Sequence, residues 1–320
     1  MSYATKFILV LATIYLGLGI GVIAFSQEEI IEEVILDETV KAEDLGVKEP
    51  WLLPDNPFYF IKNWSRAVRS LFAFNKVKKV ELESKYANER LLEIKKMVEK
   101  NKDPEEIKRA TERYKETLEK IKSRVGKIKE KAKDNPEIEK FLDKYTHQQV
   151  LHRRVLEKLE ERVPPEVYEK IKEAREKHLE KFGEVMTKLE DRKEKIRERL
   201  EKTFEEQRGS KYKNFKNLEV LIELEEKVPE KAKEAIKRAE ENSLKKLKEN
   251  LEKMSPEDQE RFKKYIEQIA GDKEKHLEIL ENLRAKIKEK PEFEKKLREA
   301  RERILKKIPI KIESKKVRTP

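Results

Sequence analysis

The chain has no cysteine, which excludes a disulfide framework, a cysteine-ligated zinc site and a thiol nucleophile. Glycine is almost as scarce. Of the eight glycines, Gly17, Gly19 and Gly21 fall within the first 26 residues, which leaves five for everything after them. Glycine-rich hairpin turns, dinucleotide-binding loops and phosphate loops need more than that. Neither Gly-x-Ser-x-Gly nor Gly-x-x-x-x-Gly-Lys occurs. Histidine is limited to His147, His152, His178 and His276. On a helix His147 and His152 would point about 140° apart, so they are poor joint ligands. No Glu-x-x-His and no His-Glu-x-x-His is present, which removes the signatures of a di-iron bundle and a zinc protease. Each histidine is expected at the surface or its boundary. No catalytic residue, cofactor or metal is expected, and the chain reads as a non-enzyme.

What the chain has in abundance is charge: 45% of its residues are Asp, Glu, Lys or Arg. Ala, Glu, Lys, Leu and Arg together exceed half of the sequence, the composition of long helices and coiled coils. Carboxylate pairs are so frequent that none of them signals a glycosidase. Their expected role is i,i+4 pairing with Lys and Arg on solvated helix faces, worth a few tenths of a kcal/mol each. The net charge of +11 is unevenly placed. Residues 284–320 carry fifteen basic and six acidic side chains, a net of +9. Residues 27–50 carry nine acids and two lysines, a net of −7. The tail Ile310–Arg318 lacks aromatics and arginine-rich spacing, so nucleic acid is not an expected partner. An anionic envelope polymer or lipid headgroups suit it better.

Phe7 to Phe25 form nineteen uncharged, mainly apolar residues, preceded by Lys6 and followed by Ser26 and an acidic stretch. Ala24-Phe25-Ser26 has the small-residue pattern of a signal-peptide cut before Gln27, and nineteen residues also suffice to span a bilayer. Cleaved signal and uncleaved anchor both remain open. Either places the rest of the chain outside the cytoplasm, in agreement with the positive-inside rule. The acidic residues 27–50 read as a solvated tether. The minor reading is a short docking helix built on Ile30, Ile31, Val34 and Ile35.

Trp51 to Phe74 hold seven aromatics, including both tryptophans. Pro54-Asp55-Asn56-Pro57 makes a rigid turn, after which Ile61, Trp64, Val68 and Leu71 follow helical spacing. The plain expectation is that these aromatics plug one end of a helical bundle. The sharper one is a partner-docking or membrane-surface segment comprising Trp51, Phe58, Tyr59, Trp64, Arg66 and Arg69.

Helix starts punctuate the remainder. Asp103-Pro104-Glu105-Glu106, Asn135-Pro136-Glu137 and Ser255-Pro256-Glu257-Asp258 each place a capping side chain, a first-turn proline and acids at the positive end of the helix dipole. The pattern predicts helices over 57–73, 76–101, 104–133, 136–162, 165–207, 211–227, 230–253, 256–270, 272–289 and 291–307. The fifth would be about 65 Å long, which predicts an elongated shape. Setting Val163-Pro164 on Val228-Pro229 aligns Leu156, Ile171, Ala174 and Phe182 with Leu221, Ile236, Ala239 and Leu247, among others. The repeating unit is a helix, a Val-Pro turn and a second helix.

The run Leu52-Leu53-Pro54-Asp55-Asn56-Pro57-Phe58-Tyr59-Phe60-Ile61-Lys62 resembles the opening of a bacterial and archaeal extracytoplasmic family known as domain of unknown function fifty-six sixty-seven. In that family a Pro-x-x-Pro-x-Tyr turn leads to a helix, a basic stretch and a long helix with an Ala-x-x-Arg-Leu core. Lys78, Lys79, Ala87, Arg90, Leu91 and Glu93 stand in those places here. The resemblance covers about residues 51–125. It implies a helical domain behind a signal or membrane anchor and brings no activity, cofactor or catalytic residue.

The combined expectation is an all-α, elongated array of antiparallel helical hairpins behind an N-terminal signal or anchor helix. Its divisions are residues 1–26 (signal or anchor), 27–50 (acidic linker), 51–134 (entry helix and first hairpin), 135–308 (repeated hairpins) and 309–320 (basic tail). The expected role is an exported scaffold or interaction protein that contacts another envelope protein. The alternative is a helical chaperone or sensor module that binds exported clients or stress ligands.

Overall fold

Asn75, Asp103, Asn135 and Ser255 show how the helices begin. The Asn75 side chain accepts hydrogen bonds from the Val77 and Lys78 amides, and Asp103 accepts from those of Glu105 and Glu106. Asn135 accepts from the Glu137 amide, and Ser255 from that of Asp258. Each pairing satisfies amide groups that a helix N-terminus leaves without an intrahelical partner.

A computed structural model describes residues 32–286 and 291–307, and it is all-helical among them. The helices are α1 (32–38), α2 (Tyr59–Phe72), α3 (Lys76–Glu99), α4 (Pro104–Gly126), α5 (Pro136–Glu160), α6 (Pro165–Leu189), α7 (Lys193–Glu206), α8 (Lys213–Lys227), α9 (Glu230–Lys253), α10 (Pro256–Gln268), α11 (Lys273–Lys286) and α12 (Pro291–Leu305). No helix among the described residues is long and apolar enough to cross a membrane. The apolar run at Phe7–Phe25 and the tail 309–320 lie outside the described residues.

Two apolar cores organise the bundle. The larger gathers buried residues from Val40 to Ala239 and is built chiefly by α3 to α6 with one side of α8 and α9. The smaller is aromatic, with Tyr212, Phe215, Phe262, Tyr265 and Phe293, and joins the other side of α8 and α9 to α10, α11 and α12. Because α8 and α9 supply both cores, they are the seam of the molecule. The Val-Pro repeat falls at equivalent places, between α5 and α6 and between α8 and α9. Leu156, Ile171, Ala174 and Phe182 are buried, and so are Leu221, Ile236, Ala239 and Leu247.

The structure differs from expectation at two helix ends and along the acidic segment. The helices expected over 104–133 and 165–207 stop at Gly126 and Leu189: the Lys127 and Ile128 amides close the first on its own carbonyls, and the connection that follows it caps the end of the second. The Ala132 amide donates to the Leu189 carbonyl at 2.8 Å, and the Lys131 ammonium donates to that of Lys188. Lys231 takes the Thr187 carbonyl at 2.6 Å. Glu190 then turns the chain, its carboxylate accepting from the Arg192 backbone and guanidinium. A 43-residue rod is thereby split into α6 and α7.

The acidic segment expected to be a solvated tether is a strap from residue 32 onward. Val34 packs on the aromatic core, and Val40, Ala42, Leu45 and Val47 are buried in the larger one. Between them Asp37 accepts from Ser210 Oγ at 2.7 Å and from the Tyr265 hydroxyl at 2.6 Å. The Leu45 carbonyl accepts from Asn88 and Gln148 at 2.7 and 2.8 Å. Its acids serve as ligands for the body, so a negative stretch need not be a solvated one.

The two repeat units meet at Gly183 on α6. A Cβ there would lie 2.7 Å from Val228 Cγ1 and 3.1 Å from its Cα, so only glycine admits the Val-Pro turn of the second unit. Gly183→Ala is expected to lower stability by about 1–3 kcal/mol, against its better helix propensity, because the added methyl meets backbone. Gly126→Ala, with nothing within 4 Å, serves as the control and should be neutral or mildly stabilising. Denaturant midpoints of the two variants decide it; equal midpoints would refute the close approach.

Candidate docking face

Helix α2 is built inside out. Tyr59, Lys62, Arg66 and Ser70 recur at helical spacing, and this polar stripe faces the body. The Tyr59 hydroxyl donates to Glu93 Oε2 at 2.5 Å and accepts from Arg66 Nη1 at 2.9 Å. Arg66 Nη2 reaches Glu89 Oε2 and Glu93 Oε1, both at 2.8 Å, and Lys62 pairs with Glu93 at 2.6 Å. The Arg66 guanidinium also lies over the Tyr86 ring, and Arg124 donates to Ser70 Oγ at 2.9 Å. Glu93 on α3 is therefore the socket of the helix. Its carboxylate is 1% exposed and collects one hydroxyl and two cations.

These contacts set the local electrostatics. Burial and the neighbouring Glu93 push the Tyr59 phenol up to about 12, so it stays a donor. Burial opposes the Arg66 charge, but Glu93, Tyr59 and Glu89 outweigh it and raise its affinity for the proton. The polar stripe is thus permanently charged and permanently engaged, which holds α2 in one orientation.

The opposite side of α2 is apolar and exposed. Trp64 is 71% exposed, Leu71 73% and Phe72 71%; the flanking Trp51 and Phe74 reach 84% and 86%. Phe58, Phe60 and Ile61 are each more than half exposed. The expectation that the aromatics plug a bundle end fails here, because the charged stripe has taken the inward side. Of the six residues singled out in the sequence, Trp51, Phe58, Trp64 and Arg69 lie on the surface, whereas Tyr59 and Arg66 are buried. The two groups do different work: one seats the helix and the other remains available. A groove of about 1090 Å³ lies at the edge of this face, between the 46–52 loop, α2 and α3, lined by Trp51, Phe58, Ile61, Lys62, Arg69 and Glu89 among others.

The histidines also depart from expectation. His152, His178 and His276 are wholly buried, and only His147 sits at the boundary. Asn88 spends its amide protons on the Leu45 carbonyl, so its Oδ1 faces His152 Nε2 at 2.7 Å and that nitrogen carries the proton. His152 Nδ1 then accepts from the Tyr114 hydroxyl at 3.0 Å. His178 Nε2 lies 2.9 Å from Gln149 Oε1. Burial, with Arg153 and Arg175 adding to it, pushes His178 down to about 3. Burial and the nearby His178 drive His152 well below its ordinary value. Both rings are neutral members of a polar core.

A second interior cluster is ionic and lies at the seam of the two cores. Arg153 donates to Glu157 at 2.9 Å and to Glu223 at 3.1 Å, and it pairs with Glu219 at 2.9 Å. Lys216 bridges Glu157, Glu219 and the Ala270 carbonyl. Arg175 joins Glu160 to Glu223. Burial and the adjacent Glu219 raise the Glu157 carboxyl, despite the opposing pull of Arg153, while Arg153 and Lys216 hold Glu219 well below the usual carboxylate range against its burial. A cleft of about 430 Å³ touches the cluster at Glu157, Glu160 and Arg175. Each of those groups is already committed to a partner, an arrangement that ties helices together. Among the described residues no group of three or more His, Asp or Glu side chains is placed to hold a metal ion.

Residues 51–166 match the model of a family described as a domain of unknown function (DUF5667). The match takes in α2, α3, α4 and α5 with their connections, so it contains the docking face and its Glu93 socket. No curated protein and no solved structure matches the chain.

Two predictions follow from this geometry. Arg66→Ala leaves Glu93 with Lys62 as its only cation, and removing one partner of a buried pair costs about 3–5 kcal/mol. The cost should appear locally. Limited proteolysis is expected to open residues 54–75 while the denaturant midpoint of the body moves little; unchanged protection of that segment would show that α2 is held otherwise. The second concerns acid. An unfolded histidine binds its proton near pH 6.5, whereas folded His178 binds it only near 3, so its contribution is complete above 6.5 and lost as pH falls toward 3. Glu157 works oppositely, favouring the fold most below its unfolded value of 4.5. His178→Gln isolates the histidine. It should reduce the acid-side slope of unfolding free energy against pH by about 1.4 kcal/mol per unit, and an unaltered slope would count against a neutral buried ring.

Proposed function

We propose that the protein is an exported, non-enzymatic helical scaffold or interaction protein of the cell envelope, with the apolar face of α2 as its contact surface. The observation that carries this reading is the inside-out helix. Exposing two tryptophans and several phenylalanines in one contiguous region is costly in water and common where another surface is met. The cost is imposed by specific buried charges, so the exposure is built into the fold.

The apolar run Phe7–Phe25, with its single preceding lysine and the acids after it, supports export behind a signal or an anchor. A chain without cysteine is indifferent to an oxidising compartment, and the packed, ion-paired interior supplies stability without disulfides. In this reading the helices after α2 form stacked antiparallel hairpins that act as a spacer body, and the basic C-terminus adds contact with anionic polymer or headgroups. A client-binding chaperone would require an apolar stripe on the body. Outside residues 51–74, the exposed large hydrophobics among the described residues are Ile35, Leu36, Tyr168 and Leu305, which form no stripe.

Fusions carry the test. A reporter that is active only outside the cytoplasm, joined after Pro320 of the full chain, is expected to be active, and deleting Phe7–Phe25 should silence it. Activity of a cytoplasm-only reporter in the same position would overturn the export reading.

A further inference from the structure

We propose that the exposed face of α2 seats on an anionic phospholipid bilayer, holding the body flat against the membrane from which its own N-terminal run emerges. This rests on the envelope reading above and names the occupant of its contact surface.

Three observations select lipid. The first is the kind of side chain displayed. Trp51, Phe58, Phe60, Trp64, Phe72 and Phe74 are the bulky aromatics that settle at the boundary between headgroups and acyl chains, and they cluster on and beside one short helix. The second is charge. From Pro57 to Val80 there are six basic residues and no acid, and Arg69, Lys76 and Lys78 are exposed. A surface both apolar and basic complements anionic headgroups over acyl chains. It does not complement itself: a second copy facing it would set Arg69 and the neighbouring lysines against their own kind. The third is reach. Only residues 26–31 separate the apolar run from α1, and six residues span at most about 20 Å even when extended. The strap from 32 to 53 is then pinned to the body by Asp37, Leu45 and Val47, so it adds no slack. If the run lies in a bilayer, the start of α1 is held within that distance of its surface, and the body that carries α2 is tethered to it. Little translational freedom remains to be lost when the aromatics enter, and the binding is effectively intramolecular.

The orientation is also determined. Tyr59, Lys62 and Arg66 are held by Glu93 and Glu89 on α3, so the helix meets the membrane already folded, with its apolar side outward. A surface helix that folds only at the membrane must be ordered there at an entropic cost; this one is ordered beforehand.

Both tryptophans of the chain, Trp51 and Trp64, lie on this surface and none lies in the apolar run, so tryptophan emission reports α2 and the loop beside it. The full chain is reconstituted into vesicles of phosphatidylcholine with phosphatidylglycerol, and separately into phosphatidylcholine vesicles. In the anionic vesicles the emission should shift to shorter wavelength, lipids brominated near the headgroup end of the acyl chain should quench it, and acrylamide should quench it several-fold less. Raised salt should weaken the shielding, and Arg69→Glu should weaken it by about thirtyfold in the lipid dependence, as expected for loss and reversal of one surface charge at about 1 kcal/mol per unit. Trp64→Ser with Phe72→Ser, at positions outside the core, should abolish it while leaving the helical circular dichroism intact.

Floating vesicles whose attached chains keep tryptophans fully open to acrylamide would overturn the seating and leave the export reading standing. Shielding that grows with protein concentration in lipid-free solution would replace the bilayer with a second copy. Cytoplasmic activity in the fusion experiment would remove the export reading whatever the tryptophans report.

Discussion

A guanidinium with no exposed surface, that of Arg153, sits where the two apolar cores meet, and the arrangement of the later helices depends on it. It draws Glu219 and Glu223 of α8 onto Glu157 of its own helix. Lys216 and Arg175 then fasten the same carboxylates to the Ala270 carbonyl and to α6. Apolar packing alone would tolerate many rotations of α8 against α5, because leucine and isoleucine faces are interchangeable at low cost. Buried charges are not tolerant. A shift of one residue in α8 would strand a carboxylate without a cation, a penalty of several kcal/mol. The ionic cluster therefore fixes register, while the cores on either side supply the driving force.

Glu93 applies the same logic at the other end of the molecule. It captures the charged stripe of α2 and leaves no room for the aromatic one. Both places reverse the ordinary preference for apolar interiors, with different outcomes. At Arg153 the reversal is internal and costs only desolvation. At α2 it leaves large aromatic side chains in water, and nothing within the described fold repays that exposure. Local rules are usually broken where something beyond folding is served, so α2 is the element that points outside the molecule.

Much of the fold was legible in the sequence because it is written in local chemistry. Capping side chains at Asp103, Asn135 and Ser255, each with a proline behind it, marked helix starts that the structure keeps. The two Val-Pro pairs marked turns that the structure keeps, one before α6 and one before α9. What escaped detection depends on distant partners. The break after Leu189 is made by Ala132 and Lys131, more than fifty residues earlier, so nothing near Leu189 announces it. The buried histidines look like surface residues until Tyr114, Asn88 and Gln149 surround them. The acidic strap reads as solvated until Ser210 and Tyr265 take Asp37.

The aromatic segment shows where sequence periodicity stops being informative. Ile61, Trp64, Val68 and Leu71 form a good apolar stripe, and Tyr59, Lys62, Arg66 and Ser70 form a good polar one on the same helix. Pattern alone assigns the first to the core. The assignment is reversed by a single buried acceptor, Glu93, whose demand for cations exceeds what the aromatic stripe gains by turning inward. Burying one large aromatic side chain is worth about 1.5–3 kcal/mol, and an uncompensated buried carboxylate costs at least as much as several such gains together. Two cations and a hydroxyl converge on Glu93, so the charged side wins. Amphipathic pattern thus says that a helix has two faces, and the partner chemistry on the neighbouring helix decides which of them looks in. A glutamate three residues after Arg90 on a predicted long helix was the available clue, and it gained meaning only once α3 was seen to lie under α2.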